Sequence, residues 1–229
     1  MSMIGMSYDL EKSIWTEKDF EIMGWHDSQI YKMALKEDLE FDIDYIFKWN
    51  QPDLEGLPFT FWVAPATLVF KKAKILSFDF EIAMEDVFEI DYIERQVEED
   101  KAIWLIVTQR GEIEFTCEGF DQYIRQKPLF QFGQTVPYRE RRGTSLERVE
   151  LQNNSYLSSK EYLEAQAKTF EHYENVKKRH LKRQEMKELN LRRENHQVET
   201  KDYLLKKKEI NEMIDFYDYW LKGTNFEKW

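Results

Sequence analysis

The stretch Tyr31-Lys-Met-Ala-Leu-Lys-Glu-Asp-Leu-Glu-Phe-Asp-Ile-Asp-Tyr-Ile-Phe47 decides the fold class. In an extended chain Tyr31, Met33 and Leu35 fall on one side, with Lys32 and Ala34 on the other. After Lys36-Glu37-Asp38, the residues Leu39, Phe41, Ile43, Tyr45 and Phe47 again share a side, against Glu40, Asp42, Asp44 and Ile46. Side chains alternate between the faces of a strand, so this period of two predicts two strands. The short link between them predicts an antiparallel hairpin.

The same grammar continues on both sides of the hairpin. Residues 59–70 form a β-rich run interrupted by Pro65, which predicts an edge or a bulge because proline cannot donate to a ladder. Leu76, Phe78, Phe80 and Ile82 alternate with Ser77, Asp79 and Glu81. Residues 103–108 are apolar on both faces and predict a central strand. Arg110-Gly111 then turns into residues 112–117, and residues 120–125 read as a short helix. Six or seven strands follow from this pattern, mostly antiparallel, since the gaps are too short for crossover helices.

Glycine and proline recur up to Gly143, whereas residues 144–222 contain neither. Turns lean on those two residues, so the style changes from punctuated strands to helix. Ser158 and Glu161 have the spacing of a capping box at a helix start. Apolar residues thin out after Lys177 and return from Tyr203, which predicts a break within 190–200. The resulting expectation is an α+β chain. Residues 1–150 form an antiparallel β-rich domain, and residues 151–229 form an α-helical extension, as a helical hairpin or one long helix.

Composition excludes several classes. The 229 residues carry a net charge of -11 and a single cysteine, Cys117. One cysteine permits neither a disulfide framework nor a Cys-based zinc site. Aromatic residues make up 15%, too many for a chain that cannot build a core. No run approaches the ~20 apolar residues of a membrane helix, and the first residues lack an apolar signal core. A cytoplasmic protein away from membranes is expected. Gly-rich phosphate loops, nucleophile elbows and zinc spacings are absent, so the sequence calls for no metal and no cofactor.

Charge is unevenly placed. Residues 1–100 hold 23 acidic and 9 basic side chains, a balance of -14, and the remainder has a balance of +3. Glu40, Asp42 and Asp44 share the polar side of their strand, as do Asp79 with Glu81 and Glu112 with Glu114. Strands lie about 4.8 Å apart, so these carboxylates are expected to form a contiguous anionic face that binds a basic protein partner. The competing expectation is a solvated face, or one covered by the protein's own basic segment. Lys177, Lys178, Arg179, Lys182 and Arg183 open a basic run over residues 177–193. They are the candidates for nucleic-acid contact, which the acidic chain around them disfavours.

Trp25-His26-Asp27 precedes the hairpin. A histidine beside an aspartate can act as a general base, with Asp42, Asp44 and Arg95 as possible companions, although neighbours on a strand point apart. Arg139, Arg141, Arg142 and Arg148, with Arg125, suit either bidentate binding of an anion or a clamp on the domain's own carboxylates.

One resemblance stands out. Trp25-His26-Asp27 is followed by Leu39-Glu-Phe-Asp-Ile-Asp-Tyr-Ile46 with Trp49, and by Phe61-Trp-Val-Ala-Pro-Ala-Thr-Leu68 with Phe70. Next come Ile93-Glu-Arg95, Gly111-Glu-Ile-Glu-Phe115, Gly119-Phe120, Gln122, Arg125, Pro128 and Gln134. Together these motifs resemble a bacterial protein family of unknown function over about residues 19–142. The resemblance implies a domain boundary and no mechanism. The expected function is therefore a non-enzymatic interaction module, such as an immunity-type or inhibitory protein that blocks a basic partner, with homodimerisation through the helical extension. The alternatives are a small-ligand binder or hydrolase using His26, Asp27, Asp42 and Asp44, and a nucleic-acid-associated protein using residues 177–193.

Overall fold

The computed structural model describes residues 7–80, 88–98, 101–149, 159–224 and 226–228. Ten strands lie among them: β1 (Ile14–Thr16), β2 (Ser28–Leu35), β3 (Leu39–Asn50), β4 (Thr60–Phe70), β5 (Lys74–Phe80), β6 (Phe88–Glu98), β7 (Lys101–Thr108), β8 (Gly111–Thr116), β9 (Phe120–Ile124) and β10 (Leu129–Gln131). A short helix α1 (Tyr138–Arg141) follows, then α2 (Ser159–Glu194) and α3 (Thr200–Leu221). The strands form one antiparallel sheet in the order β1-β9-β4-β3-β2-β6-β7-β8-β5, with β10 also on β4. The architecture is the expected α+β, with more strands than the six or seven expected.

The hairpin that decides the fold forms in the expected register, with Leu35 opposite Leu39 and Met33 opposite Phe41. Elsewhere three expectations are corrected. Residues 120–124 are strand β9, not helix. Phe120, Gln122 and Ile124 are buried in alternation with half-buried Asp121 and Tyr123, and β9 pairs with both β1 and β4. Pro65 lies inside a fully buried strand, not at an edge. It falls between the stretch of β4 that pairs β10, ending at Val63, and the stretch that pairs β9, beginning at Ala66, so it lies in the gap between those two ladders. Strand β6 was not foreseen because a bulge between Ile90 and Tyr92 breaks its period of two.

The sheet curls strongly. Phe70 of β4 meets Trp104 of β7 with ring centroids 5.4 Å apart, although β3, β2 and β6 lie between those strands in the sheet. Phe115 and Phe120 close on the same two rings, and Leu39, Phe41, Ile43 and Tyr45 line this core from β3. Trp62 and Trp104 are buried, whereas Trp49 is partly exposed. A second cluster lies on the other face of β3 and β4, where Ile46, Phe61 and Val63 pack with Leu129, Val136 and Tyr162.

The chain divides into two compact units. One comprises residues 1–49 and 60–162, so its end lies beyond the expected residue 150. The other comprises residues 50–59 and 163–229. In the latter, α2 and α3 are separated at residues 195–199, within the expected break. Lys177 bonds Asp53 at 2.8 Å, and the His180 ring meets the Glu55 carbonyl at 2.9 Å, so the β3–β4 loop belongs to the helices. His172 is half-buried against Phe226. The proposed cap residue Ser158 lies outside the described residues. No helix among the described residues is long and apolar enough to cross a membrane.

Candidate functional site

The carboxylates of β3 do share one face, but that face is not a free surface. Asp42 and Asp44 are 0% exposed and Glu40 is buried. The segment following β10 runs over them and supplies arginines. Arg141 donates from Nε to Asp44 at 2.9 Å and from Nη1 to Asp42 at 2.9 Å, with a further contact from Nη2 to Asp42. Arg125 adds a second guanidinium to Asp42. Backbone N–H groups complete the shell, from Ser145 to Asp42 at 2.8 Å and from Val136 to Asp44 at 2.7 Å, while the Tyr31 hydroxyl donates to Asp44 at 2.8 Å. Arg148 spans Glu40 and Asp38 at the exposed end.

Two carboxylates this deep survive because every charge has a bonded counter-charge. The Arg141 guanidinium also lies 3.7 Å from the centroid of the Tyr31 ring. The expected anionic face is thereby corrected at Glu40, Asp42 and Asp44. These residues fasten residues 136–148 across the sheet, and arginines 125, 141 and 148 are the clamp that the sequence offered as an alternative.

His26 and Asp27 converge after all. Trp25 is anchored in the core by a 2.8 Å bond from its indole N–H to Gln122. The chain then turns through Asp27 in the left-handed region, with φ 61°, which brings the two side chains to one side. His26 Nε2 lies 3.6 Å from Asp27 Oδ1, and the imidazole stacks on Trp49. Gln134 donates to Asp27 at 2.6 Å, and burial followed by repulsion from Asp27 pushes the Glu89 carboxyl above its ordinary value.

Asp42 and Asp44 are spent on arginines, and Arg95 bonds Glu17 at 2.9 Å while covering Phe20 and Trp104. The expected companions of His26 are thus not assembled around it. Among the described residues no group of three or more His, Cys, Asp or Glu side chains is placed to hold a metal ion. The Cys117 thiol is pushed up to about 11 by burial, which makes it a poor nucleophile near neutral pH.

Four of the five basic candidates on α2 face internal carboxylates. Arg179 is 1% exposed and bonds Asp218 at 2.5 Å and the Phe226 carbonyl at 2.9 Å, so it clamps the chain's end and is corrected as a nucleic-acid contact. Lys177 pairs with Asp53 and Glu174, and Lys182 with Glu185. Arg183 lies 3.6 Å from Asp218, and Lys178 is exposed.

The remaining acidic candidates lie at the far end of the sheet. Asp79 of β5 sits directly opposite Glu112 of β8, and Ser77 opposite Glu114. Among the described residues these three carboxylates make no ion pair. Glu81, their expected companion, lies outside the described residues. Strand β5 ends the sheet order, paired with β8 on one side and with no described strand on the other.

On its opposite face Phe78 is 50% exposed and borders an open cleft of about 190 Å³ lined by apolar residues including Ile30, Met33, Phe41, Phe80 and Phe88. Sequence reading missed this cleft. The alternation of Phe78 and Phe80 signals an apolar face, but only the position of β5 at the sheet's end leaves that face half open. No family model, curated protein or solved structure matches the chain, so its chemistry is read from its own residues.

Proposed function

We propose that this protein is a non-enzymatic interaction module that binds a basic protein partner through Asp79, Glu112 and Glu114, in the manner of an immunity-type or inhibitory protein. One observation carries the reading. The carboxylates of β3 are neutralised by arginines, whereas these three have no counter-charge among the described residues and two of them face each other across neighbouring strands. Like charges opposed in a sheet repel, and an incoming cation relieves the repulsion. The balance of -14 over residues 1–100 adds a long-range field that speeds encounter with a basic surface.

The test is capture from a lysate of the source cell, with the wild type compared against an Asp79→Lys, Glu112→Lys double variant. Both positions are exposed, so circular dichroism should show the variant folded. A basic protein retained by the wild type, eluted by salt and lost with the variant is expected. Retention of the same proteins by both forms, or of none by either, sinks the reading.

A further inference from the structure

Strand β5 presents more than charge. Its outer edge is a row of backbone donors and acceptors that no described strand satisfies. Such an edge is a template for another extended chain, and buried or charged edges are how proteins ordinarily avoid that outcome. Here the edge is not buried, and its charges are confined to Lys74 and Asp79. Phe78 is half exposed, and Leu76 at the bulge beside it is 54% exposed.

The cleft beside it runs to β2, whose residues Ile30, Tyr31, Lys32 and Met33 all line it. Consecutive residues of a strand point to opposite faces, so a cleft that meets four in a row meets the strand's edge. Among the described residues β2 pairs β6 through Ser28, Gln29 and Ile30, and residues 31–35 have β3 alone as a partner. The apolar cleft therefore lies between two strand edges.

The two faces of β5 differ in chemistry. Phe78 and Phe80 point to the cleft side, with Phe78 opposite Ile113, whereas Ser77 and Asp79 point to the side of Glu114 and Glu112. A chain laid along the edge would continue both faces, because a strand's side chains alternate. Its odd residues would meet aromatic rings and its even residues carboxylates.

Resting on the binding reading above, we propose that the free edge of β5 takes an extended segment of the basic partner as an added strand. Alternate apolar side chains of the segment enter the cleft beside Met33, Phe41, Phe78 and Phe80, and the intervening Lys or Arg side chains meet Asp79, Glu112 and Glu114. The backbone supplies affinity and the alternation supplies selectivity. Charge complementarity fixes the occupant. An acidic or uniformly apolar strand would leave the three carboxylates unrelieved.

The experiment uses the full chain and a fluorescent peptide of alternating Lys and Val or Ile. Three comparison peptides accompany it: one with Glu for Lys, one of the same composition with its lysines in a block, and one N-methylated on alternate amides. Anisotropy at about 0.1 M salt is expected to show the alternating peptide binding at least about tenfold more tightly than all three. Hydrogen exchange at residues 74–80 should slow when it binds. Phe78→Ser should weaken binding at least about tenfold, and Asp79→Lys should remove the preference for lysine over glutamate.

Equal binding of the alternating and block peptides, without slowed exchange at 74–80, overturns strand addition and leaves the acidic surface as a simple charge site. Failure of every peptide to bind at about 1 mM overturns it too, while the lysate capture tests the basic-partner reading independently. The N-methylated peptide leaves the protein unchanged, so the conclusion does not depend on any variant folding.

Discussion

Arg141 serves two carboxylates at once, Asp42 through two of its nitrogens and Asp44 through Nε. Arg141→Ala would leave both charges in a space without water, and removal of one partner of a buried pair costs about 3–5 kcal/mol. Urea unfolding of that variant should show a loss of this size. A loss below about 1 kcal/mol would mean that Arg125 and the backbone N–H groups suffice alone. Arg141→Lys should recover only part, since an ammonium cannot span two carboxylates in a planar fork. At this scale the sequence revealed the residue types and the shared face of Glu40, Asp42 and Asp44. It did not reveal their neutralisation, because the arginines lie some 83 to 108 positions away and only the fold brings them in.

Among the elements, β5 is held in place by a glycine. A Cβ on Gly111 would sit 2.0 Å from the Asp79 carbonyl oxygen, and its φ of 144° is one that side-chain-bearing residues rarely adopt. Gly111→Ala is expected to cost about 1–3 kcal/mol in backbone strain and to push β5 away from β8. Amide exchange at residues 74–80 should quicken while residues 39–45 keep their protection. Unchanged exchange at 74–80 would contradict this placement. Strands were legible where a period of two ran over several residues, as in β3, β8 and the end of β2, or where a run was apolar on both faces, as in β7. Those shaped by a partner were not: β6 carries its bulge, and Pro65 sits in β4 between the stretches that pair two different strands.

For the whole molecule the charge balance has a consequence in acid. Asp19 is held below the usual carboxylate range by the Lys12 ammonium and then by the Thr16 N–H, and Asp38 by the Lys72 N–H and then, against some desolvation, by Arg148. A carboxyl lowered in the folded state contributes stability that is full above the ordinary value near 4 and is lost as pH falls through the folded one. Glu185 is likewise lowered, by Lys182, whereas Glu89 and Asp44, raised by burial, work in the opposite direction. The three lowered groups should dominate, so the urea midpoint is expected to fall as pH drops from about 4.5 to about 3. A midpoint that holds or rises there would contradict the assignment. Fold class and the change from strands to helices were legible at this scale. The curl that sets Phe70 against Trp104 was not, since it depends on twist accumulated over several strands.

The loop between β3 and β4 bears on how the chain is made. Residues 50–59 leave the ribosome early, yet their bonds from Lys177 and His180 reach across 124 and 125 positions of sequence. A growing chain can close the hairpin of β2 and β3 at once, since its strands are neighbours. The loop must wait for these partners until α2 has been synthesised. Late arrival of the helical partner opens an interval in which a half-made chain shows that loop to chaperones, proteases and other nascent chains. Translation speed between the codons of the loop and those of α2 thereby bears on the yield of folded protein.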